Sequence, residues 1–197
     1  MKGRRRARSV ALQALYELDQ STHPLDVVLA ARLEDLYRSG ARSALVRADW
    51  AIVTHLVAHS LADGLDHIDC VAVADQLGVA EERVQAVLAQ LIRLRPQADY
   101  CARVVRGVFA HREAIDRVVA LIAPEWPVDQ MAPIDRNVLR IALWELACET
   151  TPLRVVINEA VEIAREFSGE GARRMVNGAL GAYAAGKVSL DLSDPRC

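Results

Sequence analysis

The sequence predicts an all-α protein, and three observations carry that prediction. Apolar residues recur at helical spacing through every long segment, the period of a helix with one buried face. No stretch alternates apolar and polar residues long enough for a half-buried strand. Ala, Leu, Val and Arg dominate, and aromatics make up only 5%, whereas strands draw on β-branched and aromatic residues together. The 197 residues, 52% hydrophobic and 25% charged, suffice for one large domain or two small ones with a real core.

Taken in order, Arg4 to Leu18 is the first helix, with Ala7, Val10, Ala11, Ala14, Leu15 and Leu18 as its buried stripe. His23-Pro24 breaks it, and Leu25 to Tyr37 forms the second. Ser39-Gly40 marks a loop, and Ala44 to Leu65 reads as a third helix ended by Asp63-Gly64. Residues 69–92 resemble a helix-turn-helix, with Ala74 as the small residue, Gly78 in the turn and Val84 as the buried β-branched residue. Leu77, Val79, Val87 and Leu88 would close its core. A DNA-reading helix from Ala80 would open with Glu81 and Glu82 and offer only Arg83 and Gln85. Carboxylates there oppose phosphate, so a packing hairpin is favoured over a DNA-binding regulator, which is retained as an alternative.

Arg95-Pro96 reads as a boundary before a long helix, Ala98 to Ile122, whose inner face is Val104, Val105, Val108, Ile115, Val118 and Leu121. Pro124 to Pro127 is a loop, and Pro133 to Ala147 is the next helix, with Asp135 near the positive end of its dipole. Val138, Ile141, Ala142 and Leu146 line its apolar side. After Thr151-Pro152, Val156, Ala160, Ala164 and Phe167 mark a helix ending before Ser168-Gly169. Arg173 to Ala185 is the last helix, and 186–197 is expected to be a flexible tail.

Charge supplies the first functional clue. Lys2, Arg4, Arg5, Arg6 and Arg8 precede the first acid, Glu17, and the remaining 19 basic and 26 acidic residues leave the rest of the chain near −7. Such a chain repels a polyanion everywhere except at a local basic patch. At roughly 100° per residue, Arg5, Arg6, Ser9, Gln13, Tyr16 and Gln20 share one face of the first helix. Guanidinium groups pair with phosphate and an aromatic ring stacks on an unpaired base.

Other chemistries find no support. His55 and His59 share a helical face with Asp63 one turn on, but further strong ligands are missing, so no metal site is expected. There is no phosphate-binding glycine loop and no nucleophile motif; the sequence argues against an enzyme and calls for no cofactor. Cys70, Cys101, Cys148 and Cys197 are far apart and read as free thiols. The longest charge-free apolar stretch, Trp50 to Ala62, is too short to span a bilayer and is interrupted by polar residues. No signal peptide is visible, so a cytoplasmic location is expected.

Several blocks together resemble the NusB transcription antitermination family: Arg4 to Arg8 with Ala11 to Tyr16; Val105 to Val108, His111-Arg112 and Ile115-Asp116; Trp126; Ile134 to Leu146; Val156 to Ala164; and Val176-Asn-Gly178. The likeness covers residues 4–35 and 97–185. It implies two packed helical bundles in a single RNA-binding domain over 1–197, with an inserted helical segment at 36–96 whose role the family does not supply. It implies binding of boxA-like single-stranded RNA together with NusE, a small-subunit ribosomal protein, within the RNA polymerase antitermination complex on ribosomal RNA operons. By position, Arg4, Arg5, Arg6, Arg8, Gln13 and Tyr16 fall in the RNA-facing region, and Asp135, Arg136 and Tyr16 fall at the NusE contact. Monomer and homodimer are both compatible with the likeness. Met175 stands where the family carries an aromatic ring before Val-Asn-Gly, and Arg173 and Arg174 are expected to compensate through phosphate contact. A second alternative is a NusB-like protein-interaction module without RNA selectivity.

Overall fold

The chain is described by a computed structural model covering residues 2–40, 46–63, 65–186, 188–190 and 192, with the side chains of Lys2 and 60–63 left aside. Its helices are α1 (Lys2–Gln20), α2 (Leu25–Gly40), α3 (Trp50–Asp63), α4 (Cys70–Leu77), α5 (Glu81–Ile122), α6 (Pro133–Cys148), α7 (Leu153–Phe167) and α8 (Glu170–Ala184), with a 3-10 turn at Arg47–Asp49. Among the described residues there is no strand, so the all-α prediction holds. The residues group into two compact units: 1–10 with 23–102, and 11–22 with 103–197. Helices α1 and α5 contribute to both.

In the first unit α2 packs on α3, and α3 on α4. Leu29, Leu36, Ile52, Leu56, Val84, Val87 and Leu91 are fully buried there. Two polar devices fix this arrangement. The Asp49 carboxylate, 1% exposed, accepts hydrogen bonds from the Val46 backbone N–H at 2.8 Å and from Arg83 at 2.5 and 2.8 Å. Asp69 caps α4 by accepting from the N–H groups of Val71 and Ala72. Gly78 then closes α4 at φ +64°, a left-handed conformation that glycine adopts without steric cost.

Several expected boundaries shift. Helix α2 runs on through Ser39 and Gly40, where a loop was expected. A Cβ on Gly40 would come within 2.8 Å of Leu94 and 3.0 Å of Arg6, so this glycine serves close packing rather than a turn. The third helix starts at Trp50, not Ala44, because Val46 is extended and residues 47–49 form the 3-10 turn; residues 41–45 and Gly64 lie outside the described residues. Helix α8 begins at Glu170, one turn ahead of the expected Arg173.

The largest correction concerns Pro96, which lies inside an uninterrupted 42-residue α5. Val84, Val87, Leu91, Leu94, Ala98, Cys101, Val105 and Val108 alternate steps of three and four straight through it, and all but the half-buried Leu94 are buried. Pro96 lies on the opposite, exposed side. The carbonyl it leaves without a helical donor belongs to Ile92, itself 44% exposed, where water can satisfy it. The same register puts Val119 and Ile122 inside and leaves Leu121 64% exposed, against expectation.

In the second unit α6, α7 and α8 pack on one another, with Leu139, Leu143, Trp144 and Leu180 at the centre. Gly107 on α5 faces Trp144 so closely that a Cβ would sit 2.1 Å from the indole nitrogen. Only glycine admits that approach. Cys70 and Cys101 carry free thiols, whereas Cys148 is disulfide-bonded, contrary to the expectation that all four are free; linear spacing excludes local pairing and not distant pairing. The tail expected at 186–197 falls mostly outside the described residues.

Candidate nucleic-acid interface

Helix α1 opens with Lys-Gly-Arg-Arg-Arg and has no acid in its first turn. Cations there oppose the positive end of the helix dipole, at a cost of about 0.3–1 kcal/mol each. The cluster therefore works against the helix that carries it, which favours a role in attracting anions over a role in folding.

The structure sorts these arginines. Arg4 is exposed and holds its guanidinium 5.3 Å from the centre of the Tyr100 ring. Arg5 and Arg6 are half-buried, and the Ser9 hydroxyl donates to the Arg5 carbonyl at 3.2 Å. Arg8 differs from expectation. Only 3% exposed, it packs 5.6 Å from the same Tyr100 ring and presents no surface to a ligand. On a helix, residues 4 and 8 share a flank away from residues 5, 9 and 16, and here that flank faces Tyr100.

In the second unit, Gln13 is exposed and Tyr16 is 43% exposed on successive turns of α1, as the spacing predicts. On α8, Arg173 is ion-paired with Glu170 at 3.1 Å, so part of its charge is neutralised locally. Arg174 makes no ion pair among the described residues and lines a cavity of about 320 Å³ with Trp126, Met175 and Gly178.

The residues expected at a partner contact divide as well. Asp135 is half-buried in the first turn of α6, and its Oδ1 is enclosed without a hydrogen-bond donor. Arg136 donates from Nη2 to Asp19 at 2.9 Å and from Nη1 to the Val128 carbonyl at 3.2 Å. Its side chain is 16% exposed, so its guanidinium serves mainly inside this unit.

Sequence reasoning missed the hub of that network. Asp19 also accepts from Asn137 at 3.0 Å and Arg140 at 3.0 Å, while Arg140 makes a two-pronged pair with Asp116 at 2.8 and 2.7 Å. Burial pushes the Asp19 carboxyl up, but the Arg136 hydrogen bond, the Arg140 charge and Asn137 together hold it below its ordinary value. For Arg140, burial disfavours the charge and the hydrogen bonds and charges of Asp116 and Asp19 outweigh it, keeping the guanidinium protonated. The placement of Arg136, Asn137 and Arg140 on one side of α6 was available in the sequence. Their acceptor, well over a hundred residues earlier, was not.

Residues 69–92 do fold as a helix, a glycine turn and a helix. Ala74, Val84 and Val87 are buried as expected, while Leu77, Val79 and Leu88 are only half-buried. Arg83 is spent on Asp49, and Gln85 donates to Glu81 at 2.7 Å. The side chains that would read DNA are thus engaged within the unit. His55 and His59 stack at 4.4 Å between ring centres; among the described residues no three His, Cys, Asp or Glu side chains come together as metal ligands. No described helix is long and apolar enough to cross a membrane.

Comparison with known proteins gives this geometry a context. A family model described as the NusB family matches residues 74–185. A relative from Herpetosiphon aurantiacus, named transcription antitermination protein NusB, is 36% identical over 181 residues, 90% of this chain and 86% of its own length. Among solved structures, NusB of T. maritima aligns with a TM-score of 0.52 and 22% identity over 92% of this chain and 90% of its own. A chain in the crystal structure of a plectonemic RNA supercoil aligns with a TM-score of 0.56 and 18% identity over 96% of this chain and 99% of its own. Both structural likenesses bear on the fold.

Proposed function

The chain belongs to the NusB family of transcription antitermination proteins and is not an enzyme, and from that premise we propose that it binds boxA-like single-stranded RNA along α1, together with NusE, in support of ribosomal RNA transcription. The observation that carries this reading is the state of the α1 surface. Exposed Arg4, half-buried Arg5 and Arg6, and exposed Gln13 and Tyr16 combine cations, an amide and a ring, on a chain that is otherwise net acidic. The cations draw the phosphates in, and Tyr16 stacks a base for roughly 1–3 kcal/mol. The acidic remainder limits unspecific binding. Asp135 and Tyr16 are the residues available to NusE, with Arg136 holding the start of α6 in place for that contact. Arg173 and Arg174 add phosphate contacts on α8, Arg174 more strongly because it has no acidic partner among the described residues.

Fluorescence anisotropy of a labelled boxA-like RNA, with and without NusE and against scrambled RNA and duplex DNA, tests the reading. Preferential RNA binding that NusE strengthens is expected. Equal or tighter binding of duplex DNA overturns it in favour of residues 69–92, and NusE binding without RNA selectivity overturns it in favour of an interaction module.

A further inference from the structure

The loop between α5 and α6 carries a large apolar side chain that packing does not explain. Trp126 is 53% exposed, yet its backbone is fixed. Its N–H donates to the Ala123 carbonyl at 2.9 Å, and prolines stand at 124 and 127. The Pro127 carbonyl in turn accepts from Gln130 at 2.9 Å and from buried Met131 at 3.0 Å. An aromatic ring held on so constrained a segment loses little entropy on binding. It lines the cavity of about 320 Å³ with Arg174, Met175, Gly178 and Glu125, at the small end of the size range for pockets that seat a ligand group.

We infer that this cavity is a subsite for one unpaired nucleobase of the bound RNA, stacked on Trp126, with Arg174 on the adjoining phosphate. The inference rests on the RNA-binding reading above and names a contact within it. Trp126 presents its ring from the loop, across the same cavity as Met175. Met175 contributes a polarizable wall that adapts to the base edge. The Glu125 carboxylate can only accept a hydrogen bond, which favours a base offering an exocyclic amine. Gly178 lines the cavity without a side chain, and a Cβ there meets no protein atom within 4 Å, so a larger residue at that point is accommodated without disturbing the core.

The test measures binding of a boxA-like single-stranded RNA, and of the same RNA with one abasic site moved along it, to the full chain and to Trp126→Ala, Trp126→Phe and Gly178→Leu. Trp126→Ala and Gly178→Leu are each expected to weaken the intact RNA roughly 5- to 100-fold, with Trp126→Phe in between. At one abasic position the loss already made should leave Trp126→Ala with no further effect. Gly178→Leu guards against misfolding, since it adds a good helix former facing open space. Wild-type affinity for the intact RNA with all three variants unchanged overturns the subsite and spares the RNA-binding reading. Unchanged RNA affinity with loss of the strengthening by NusE makes the cavity a protein contact instead. No RNA preference by the wild type overturns both.

Discussion

Two arginine clusters in this chain show how differently one residue type is used. At the start of α1, Arg4 and Arg8 lie against the ring of Tyr100, Arg4 exposed and Arg8 buried, while Arg5 and Arg6 are half-buried. On α6, Arg136 and Arg140 are enclosed by Asp19 and Asp116 and spend their hydrogen bonds inside the unit. A guanidinium on an aromatic face keeps its charge available to an outside anion, whereas one between two carboxylates does not. On the function proposed above, the first cluster attracts RNA, while the second holds a helix in place.

Breaking the α6 cluster should have the largest effect. Arg140→Met leaves Asp116 without its two-pronged partner and Asp19 with only Arg136 and Asn137, and removing one member of a buried pair costs about 3–5 kcal/mol; urea denaturation reads this directly. A loss under about 1 kcal/mol would mean that the pair behaves as an exposed one. Next, Asp19→Asn removes the charge but keeps one acceptor, for an expected loss of about 1–3 kcal/mol. Its pH dependence has a definite sign. Because the native carboxyl is held below the ordinary value of 3.8, its contribution is complete above that value and fades as pH falls through the lowered native one. The stability gap between wild type and Asp19→Asn should therefore be full at neutral pH and close in acid. A gap that instead widened in acid would contradict the assignment.

Legibility in the sequence followed the range of the interaction. The α1 surface was legible because every residue in it is local, and helical spacing alone placed Gln13 and Tyr16 on the exposed side. Arg8 was not, since its partner Tyr100 is distant in sequence. The same holds for Asp19, an unremarkable acid near the end of α1 until the fold brings it to Arg140. Pro96 misled for a different reason: a strong local signal was set against a three-four apolar register that continues across it, and the register won because the lost hydrogen bond falls on the solvent side. The cavity beside Trp126 joins a loop to α8, some fifty residues later, and only the tertiary structure shows it.

If the α1 arginines bind RNA while those of α6 serve the fold, as proposed, the salt dependence of RNA binding shows it most directly. Each phosphate contact on a single strand contributes roughly 0.7 to the slope of log K against log salt. Replacing Arg4 and Arg6 together with Ala should lower that slope by about 1.4 while leaving the melting temperature near that of the wild type. An unchanged slope, or a loss of RNA binding that only tracks a loss of folding, would contradict the division of labour between the two clusters.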